Sequence, residues 1–368
     1  MKITFFIGAI SGGGAERVVC ELSSYLAQKG HQVEILVATS VESNYPLDKR
    51  VSISCLDAGR GEGLRLFSKP RQLIKLIVLH NYLRRTKTDG FVVFLPHITR
   101  ALFLFRKTIR RPIIMSERNC PEVYPKEVQK YIVNCAEMAD GIVFQTENAK
   151  AFYEANCKKL PLNSIIPNAV SAEIAERVWH RKEKVIVGIG RLSAQKNFTL
   201  LVRSFAAVVK RLPDYKLIIY GEGPKLNELQ DLVEKLDLRG KVSFPGYVKD
   251  VNQFVQRAAV FVMSSNYEGM PNALIEAMAM GVPCVATDCD GGGAAFLIKN
   301  NINGFLIPKN DAEAMSEAIC KIIEDNETAA RISAEARKIN EDLSQKCVYD
   351  KWESFLNKTI TCYDGGRS

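Results

Sequence analysis

The chain has 368 residues, of which 47% are hydrophobic and 25% are charged. This length allows two domains with separate cores, and this composition excludes a disordered chain and an integral membrane protein. No apolar run approaches the roughly 18–20 residues of a membrane-spanning helix. Ten scattered cysteines without a Cys-x-x-Cys pair favour a reducing compartment, and four distant histidines show no metal-ligand spacing.

The first 40 residues follow a strand, helix, strand order, with strands expected at Ile3–Ile10 and Val33–Ala38. The apolar start runs into Gly12, Gly13 and Gly14, which predicts a strand entering a glycine turn and not a signal peptide. This opening is typical of a parallel sheet covered by helices. The glycines lack the spacing of a dinucleotide loop, so they serve either close backbone approach to a ligand or a tight turn.

Positive charge is concentrated between Arg60 and Arg111, where 13 Lys and Arg accompany two acids, although the whole chain carries only +9. Such a concentration predicts an anionic partner. Residues 64–85 have the pattern of a basic amphipathic helix, and Leu102–Phe105 are apolar among further cations. The apolar residues either bury shallowly in an anionic membrane surface or form the core of the domain while the charges are solvated.

Two groups of polar residues follow expected strands of the first half. His97 follows a strand at Gly90–Leu95, and residues 117–119 follow a strand at Pro112–Ser116. Ligands of open parallel sheets bind beyond the carboxyl ends of the strands. Both groups are therefore candidates for substrate contact, although a lone histidine is more often structural.

A second series of strands and helices begins at Val185–Gly190, after a charged stretch that lacks strand pattern. We expect a first domain over residues 1–166, a linker over 167–184 and a second domain over 185–347. At the first strand end of the second domain, Arg191 and Lys196 stand beside a helix start. They are suited to a diphosphate, whereas either cation alone would more often be a solvated loop residue.

Two glutamates flank the start of an almost uncharged helix. Glu268 lies in the preceding loop, and Glu276 lies in the second turn; Pro271 is expected at the first helical position and Gly281 at the end. The free N–H groups between them favour an anion. The pattern predicts a ligand with hydroxyls at both ends and negative charge in the middle, such as a nucleotide-sugar.

These motifs, together with Gly-Gly-Ala-Glu-Arg near the start and Ser-Glu-Arg-Asn at residues 116–119, resemble the signatures of family 4 glycosyltransferases, which are retaining enzymes of the GT-B fold. The resemblance is strongest from Gly188 to Pro308 and weakest across residues 41–165. It implies an α/β protein with two doubly wound Rossmann-like domains facing a cleft. It also implies that a final helix, within residues 348–368, returns to the first domain.

The resemblance assigns roles to single residues. It implies that Glu268 faces the donor sugar and acts with Arg191 and Lys196, and that Glu276 holds the ribose. The further donor contacts that it implies are Gly13, Gly14, Gly190, Tyr247, Val248, Gly269, Met270, Pro271 and Asn272. The acceptor-side residues that it implies are Glu117, Arg118, Asn119 and His97. Many family members carry a histidine where this chain has Arg118, so His97 is a candidate substitute.

The expected function is retaining transfer of a hexose or N-acetylhexosamine from a UDP-sugar to a lipid-linked saccharide in bacterial polysaccharide biosynthesis, with GDP-mannose as a second donor candidate. The protein is expected in the cytoplasm, held peripherally at the inner face of an anionic membrane, without a nucleic-acid partner. One alternative is a nucleotide-sugar epimerase of the same fold, which leaves the basic segment unexplained. The other is a non-catalytic sugar or nucleic-acid binder that uses that segment.

Asp288 and Asp290 form an Asp-x-Asp pair after a strand and are the candidate ligands of a metal ion. Such a pair holds a divalent ion in other glycosyltransferases, but the pattern is short and arises often by chance. Arg191, Lys196 and the helix N-terminus already supply positive charge. We therefore expect no required metal and no other cofactor.

Overall fold

The structure is a computed structural model that describes residues 1–57, 69–181 and 183–363. The chain divides into two compact units. The first contains Met1–Pro167 and the chain from Val348 onward, and the second contains Asn168–Cys347. Residues 60–68, which are part of the predicted basic segment and helix, lie outside the described residues.

The first unit is built on a seven-stranded parallel sheet in the order β3-β2-β1-β4-β5-β6-β7. Its strands are β1 (Lys2–Ile7), β2 (Gln32–Val37), β3 (Ser52–Cys55), β4 (Gly90–Phe94), β5 (Ile113–Ser116), β6 (Gly141–Phe144) and β7 (Leu162–Ile165). Its helices are α1 (Gly14–Gln28), α2 (Lys69–Arg85), α3 (Pro96–Phe103), α4 (Lys126–Met138) and α5 (Glu147–Asn156). The strand order reverses direction between β1 and β4, which creates a crevice at the carboxyl edge.

The second unit is built on a six-stranded parallel sheet in the order β10-β9-β8-β11-β12-β13. Its strands are β8 (Val185–Ile189), β9 (Lys216–Tyr220), β10 (Val242–Gly246), β11 (Val260–Met263), β12 (Cys284–Thr287) and β13 (Phe305–Ile307). Its helices are α6 (Ala172–Glu176), α7 (Phe198–Arg211), α8 (Leu226–Lys235), α9 (Asn252–Val255), α10 (Asn272–Met280), α11 (Gly293–Leu297), α12 (Ala312–Glu324), α13 (Asn326–Ala336) and α14 (Ile339–Asp342). Here the order reverses between β8 and β11.

The last helix, α15 (Gln345–Thr361), packs on the first unit. Its Trp352 is fully buried and stacks on Phe94 at the end of β4, with ring centroids 6.3 Å apart. Its Tyr349 hydroxyl donates to Glu21 of α1 over 2.8 Å. The helix therefore completes the core of a unit whose other residues lie more than 180 positions earlier. Within the described residues, no helix combines the length and apolar character needed to cross a membrane.

The structure differs from the prediction at the linker, because residues 168–184 are counted in the second unit. Ala172–Glu176 forms a short helix there, and the Trp179 indole N–H donates to the Ala258 carbonyl over 2.8 Å. Two edge strands, β3 and β7, were not predicted. Their residues are only partly buried, so they lack the continuous apolar pattern that reveals a central strand.

Candidate active site

The candidate site of the second unit lies where the strand order reverses. The loop after β8 carries Lys196, and the loop after the neighbouring strand β11 carries Glu268. The Lys196 ammonium lies 2.6 Å from Oε1 of Glu268. The fold therefore brings together two residues that are 72 positions apart in the sequence, at the point where open parallel sheets bind ligands.

The Glu268 carboxylate is almost buried, with 7% of the residue exposed. The Ser265 hydroxyl donates to its Oε1 over 2.7 Å, and the Gln195 side-chain amide approaches its Oε2 at 3.5 Å. Burial of a carboxylate is costly unless it is paired and hydrogen-bonded. These partners meet that requirement and hold the carboxylate in one direction. Ser265 and Gln195 were not predicted, because neither belongs to a motif until the two loops meet.

Gly190 permits the approach of Lys196. Its φ is 150°, and a Cβ there would lie 2.8 Å from Cε of Lys196 and 3.0 Å from its Cδ. The lysine stem therefore passes directly over the glycine on its way to Glu268. This is a steric reason for a glycine at a position that was predicted as a donor contact.

Asn197 braces the same loop. It adopts a left-handed conformation with φ 45°, and its side-chain oxygen accepts from the Leu200 N–H to cap α7. Its amide nitrogen donates to Asn266 over 3.0 Å and to Asn310 over 3.2 Å. One asparagine thus ties the Lys196 loop to two neighbouring loops at this edge.

Arg191 contrasts with Lys196. Its side chain is exposed, and within the described residues it has no hydrogen bond or ion pair. A guanidinium at the rim of the site, free of internal partners, is available to an anionic ligand. The structure thus separates the two cations into one that is held by Glu268 and one that is exposed.

The N-terminus of α10 supplies backbone donors. The N–H groups of Leu274 and Ile275 donate to the Pro271 carbonyl, whereas those of Asn272 and Ala273 have no acceptor among the described residues. Free N–H groups at a helix start favour an anion. Pro271 is the capping residue before the helix and not its first residue, which corrects the prediction by one position. Gly281 ends the helix in a left-handed conformation, with φ 82°.

The loop before α10 is fixed by Asn168, another residue that the sequence did not reveal. Its amide nitrogen donates to the Met270 carbonyl over 3.2 Å and to the Asn272 side chain over 2.6 Å. Gly293, the first residue of α11, packs so tightly that a Cβ on it would lie 1.8 Å from the Gly269 carbonyl oxygen. The predicted donor-contact residues 269–272 therefore form a rigid turn.

Glu276 extends from α10 toward α9. Its Oε2 accepts from the Asn252 amide over 2.8 Å. Asn252 follows β10, as do Val248, which is partly buried, and Tyr247, which is 71% exposed. Glu276 is thereby directed toward the strand end that carries the predicted donor contacts Tyr247 and Val248. Asn252 lies outside any recognisable motif and was not predicted.

The two acids of the Asp-x-Asp pair have different surroundings. Asp290 accepts from Lys309 over 2.6 Å, and Asp288 is exposed. Among residues 1–57, 69–181 and 183–363, no three His, Cys, Asp or Glu side chains are grouped as metal ligands.

In the first unit, Gly13 and Gly14 lie beyond the carboxyl end of β1. Gly13 has φ 136° and precedes α1, and a Cβ on it would lie 2.2 Å from a Glu16 carboxylate oxygen. Burial raises the pKa of Glu16 above its ordinary value. The Tyr45 hydroxyl is 3.1 Å from the Gly13 nitrogen and 3.0 Å from its carbonyl oxygen. The glycine loop is therefore held by side chains on both sides.

His97 lies at the reversal point of the first sheet. A Cβ on Gly8, beyond β1, would lie 3.4 Å from Nε2 of His97, so the ends of β1 and β4 meet there. Leu95, just before α3, has φ 73°, a conformation that is rare for a bulky residue. Partial burial lowers the pKa of His97 below its ordinary 6.5. Such strain concentrates at functional sites, and the sequence contained no sign of it.

Glu117 is buried and fully engaged. Its Oε2 accepts from the Tyr153 hydroxyl over 2.7 Å, and its Oε1 accepts from the Tyr124 hydroxyl over 3.1 Å. The same Oε1 accepts from the backbone N–H groups of Arg118 and Asn119. Burial raises the pKa of Glu117. This geometry corrects the prediction of direct acceptor contact, because Glu117 shapes the loop that carries its two neighbours.

Arg118 lies over the Phe94 ring, with the guanidinium carbon 5.6 Å from the ring centroid. Burial lowers its pKa to about 10, so it remains a cation at neutral pH. A cation thus stands at the position where many family members carry a histidine. Arg118 is held against Phe94, while His97 follows the same strand two residues after the strained Leu95.

Two parallel-sheet α/β units with a polar site at a reversal point are the architecture of a GT-B glycosyltransferase. Among solved structures, a UDP complex of TarM from S. aureus is similar with a TM-score of 0.81 and 17% identity, covering 97% of this chain and 99% of that one. HepE from Anabaena in complex with UDP and glucose is similar with a TM-score of 0.79 and 18% identity, covering 97% of this chain and 99% of that one. These similarities confirm the predicted fold class.

Two family models divide most of the sequence between them. Residues 12–174 match the model described as Glycosyltransferase Family 4, and residues 171–339 match the model described as Glycosyl transferases group 1. The chain therefore belongs to the family 4 glycosyltransferases, which confirms the resemblance drawn from its motifs.

Curated relatives match over nearly the full length. An α-1,4-N-acetylgalactosaminyltransferase from Campylobacter jejuni, whose name specifies an undecaprenol-linked acceptor, is 28% identical over 96% of this chain and 97% of its own. The amylovoran biosynthesis glycosyltransferase AmsD from Erwinia amylovora is 27% identical over 97% of this chain and 99% of its own.

Proposed function

We propose that this protein is a retaining glycosyltransferase that moves a hexose or N-acetylhexosamine from a UDP-sugar to a lipid-linked saccharide in bacterial glycan biosynthesis. The Lys196–Glu268 pair beside the start of α10 carries this proposal. Fixed positive charge, free backbone N–H groups and a held carboxylate at one sheet edge match the parts of a nucleotide-sugar. The UDP complexes of the structural neighbours TarM and HepE support UDP as the nucleotide.

Each site group then has a role in donor binding. Arg191, Lys196 and the N–H groups of α10 bind the diphosphate, whose charge grows as the nucleotide leaves, so they stabilise the transition state more than the ground state. Glu276 accepts from the ribose hydroxyls. Backbone groups of Tyr247 and Val248 meet the nucleobase edge, and Glu268 faces the sugar.

Retention of anomeric configuration follows from attack on the face that the nucleotide leaves. The bond between the sugar C1 and the phosphate oxygen breaks, and the bond from C1 to the acceptor oxygen forms on the same side. The acceptor proton passes to the departing phosphate oxygen. The protein orients the reactants and stabilises charge. Glu268 accepts hydrogen bonds from Lys196 and Ser265, and these two partners suit it to such an electrostatic and orienting role.

We also propose that no metal is required. The diphosphate already meets Arg191, Lys196 and a helix N-terminus, and Asp290 is paired with Lys309. A divalent ion would place further positive charge beside these groups.

The acceptor is proposed to be a saccharide on a lipid carrier, and the protein to act in the cytoplasm at the inner face of the membrane. Undecaprenol-linked acceptors in the names of two Campylobacter jejuni relatives support the lipid carrier. The positive charge of residues 60–111 supports a membrane surface as a partner.

The deciding experiment is incubation with a panel of UDP- and GDP-sugars, scored by release of free nucleotide and by the structure of the sugar product. A transferase slowly hydrolyses its own donor to the free sugar with retained anomeric configuration. An epimerase would return an isomeric nucleotide-sugar, and a non-catalytic binder would leave every donor intact. Inverted product would overturn the retaining mechanism but not the transferase class.

A further inference from the structure

The helix α2 has an apolar side that the core does not use. On its inner side, Leu79 is 1% exposed and belongs to the core of the first unit, with Tyr82 and Leu83 packed against it. On the opposite side, four large aliphatic residues are between 38% and 60% exposed: Leu73, Ile74, Ile77 and Val78. At 3.6 residues per turn they fall within one arc of about 140°.

This arrangement departs from an ordinary surface helix, whose outer side is polar. Single exposed aliphatic residues are common, but a contiguous group marks a surface that meets another apolar phase. The structure thus divides the apolar residues of the basic segment. The core includes Leu79, Leu102 and Phe103. The outer residues of α2 lie outside it, as does Leu104, which is 63% exposed.

Cations lie on the same side of the unit. Arg84 and Arg85 occupy the same arc of α2 and are exposed. The segment that contains Leu104 lies beside the helix, because the His80 and Phe105 rings are 5.2 Å apart, and this segment adds the exposed cations Lys107 and Arg110.

Other cations of the basic segment have structural partners. Lys75 pairs with Asp57 and Arg106 pairs with Asp140, while Arg111 donates to the Thr88 carbonyl. Among the described residues of the segment, the exposed cations around the outer side of α2 include Arg84, Arg85, Lys107 and Arg110.

A cavity of about 580 Å³ opens beside the C-terminal half of α2. Three cations, Lys2, Arg85 and Lys87, and one acid, Glu34, line it. A cavity with surplus positive charge suits a phosphate group.

We infer that the outer side of α2 is a docking surface for an anionic phospholipid bilayer. The four aliphatic residues enter the boundary between headgroups and acyl chains, and the cavity at Lys2, Arg85 and Lys87 receives a headgroup phosphate. The apolar residues match the acyl-chain layer of such a bilayer, and the adjacent basic residues match its layer of anionic headgroups. The inference deepens the proposed function, because it rests on the acceptor being lipid-linked. It does not depend on which sugar is transferred.

The test is flotation of the full chain with phosphatidylcholine vesicles and with vesicles that also contain phosphatidylglycerol. We expect binding to the anionic vesicles about tenfold or more tighter than to the neutral ones at low salt, and weaker binding as salt rises. Equal recovery on both vesicles, or no recovery at low salt, would overturn the inference. Donor hydrolysis measured on the same preparation reports on the transferase proposal separately.

Two pairs of variants test the parts of the surface. Leu73→Ser with Ile77→Ser should reduce vesicle binding at high and low salt, whereas Val178→Ser with Ile302→Ser, at similarly exposed positions of the second unit, should not. Arg85→Glu with Lys87→Glu should remove the preference for anionic lipid, whereas Arg203→Glu with Lys210→Glu, which makes the same change of charge on α7, should retain it. If a variant and its control lost vesicle binding equally, the effect would come from the total charge or hydrophobicity of the protein. That result would overturn the assignment of the docking surface to α2.

Discussion

The Lys196 ammonium and the Glu268 carboxylate lie 2.6 Å apart and join the loops that follow two neighbouring strands, β8 and β11. Gly190 leaves room for the lysine, and Ser265 gives the carboxylate a second donor over 2.7 Å. The same cation is the one proposed to bind the diphosphate. Donor binding therefore acts on an ion pair that is already in place, and the following predictions depend on it.

Removal of either proposed diphosphate cation should weaken UDP binding. Lys196→Ala and Arg191→Ala should each cost about 1.5–3 kcal/mol, the value of a charged hydrogen bond. Only Lys196→Ala should also lower the melting temperature, because it leaves Glu268 buried without its counter-charge. Titration calorimetry and thermal melts measure the two effects, with Lys210→Ala as a control. Unchanged UDP affinity in both variants would show that the diphosphate binds elsewhere.

The two glutamates should separate binding from turnover. Glu276→Ala should weaken the binding of free UDP by roughly tenfold or more, because the ribose hydroxyls lose a charged acceptor. Glu268→Gln should leave UDP affinity nearly unchanged and reduce the rate of transfer or donor hydrolysis. Equilibrium binding and initial rates on the same preparations decide the matter. A Glu268→Gln enzyme with full activity would contradict its assigned role.

Gly190→Ala should damage the donor site through Lys196. The new Cβ would lie 2.8 Å from the lysine stem, so the ammonium must leave Glu268. Gly240→Ala is a matched control, because Gly240 also has a positive φ of 73° but has no atom within 4 Å of an added Cβ. Both should lose stability, by about 1 kcal/mol for the control. Only Gly190→Ala should lose UDP affinity, and equal affinities would contradict the steric explanation.

Glu117 should behave as a structural carboxylate. Glu117→Ala leaves four donors without an acceptor and should destabilise the first unit by about 3 kcal/mol or more, whereas Glu117→Gln should be milder. Burial raises the pKa of Glu117, so its contribution to stability is fully present below the ordinary value of 4.5 and is lost as pH rises through the folded-state pKa. The melting temperature of the natural protein relative to Glu117→Gln should therefore fall from acid to neutral pH. A rise over that range would refute the assignment.

Activity should persist after dialysis against EDTA. In the proposed site, the cations Arg191 and Lys196 and the start of α10 hold the diphosphate, so no divalent ion is needed for that role. Initial rates before and after chelation, and after addition of Mn²⁺ or Mg²⁺, measure this directly. Complete loss that is restored by either ion would transfer the diphosphate site to Asp288 and Asp290.

Much of the fold followed from local pattern. Central strands such as β4 and β11 are buried along their whole length, so their sequences are continuous apolar runs that end in glycine or polar residues. The edge strands β3 and β7 escaped prediction because partial burial removes that signal. Residues 168–184 appeared to be a linker because their contacts to the second unit, such as the indole hydrogen bond of Trp179, join positions distant in sequence.

Each predicted residue of the donor site has a local signature: a glycine at a strand end, cations before a helix, an acid before an uncharged helix. Their partners Ser265, Gln195, Asn252 and Asn168 were missed, since a hydrogen bond between loops of different strands leaves no spacing to read. Glu117 shows the converse. Its place after a strand predicted contact with a ligand, and only the positions of Tyr124 and Tyr153 reveal that its oxygens are already occupied.

The sequence by itself determined the α/β class, the order of the central strands and the chemical types present at their ends, because these depend on periodicity and on neighbours within a few residues. The tertiary structure alone decided that Lys196 is held by Glu268 while Arg191 is exposed. It also decided which apolar residues of the basic segment are core and which lie on the outside of α2. Burial and pairing depend on which distant elements pack together, and that depends on the order of strands in the sheets.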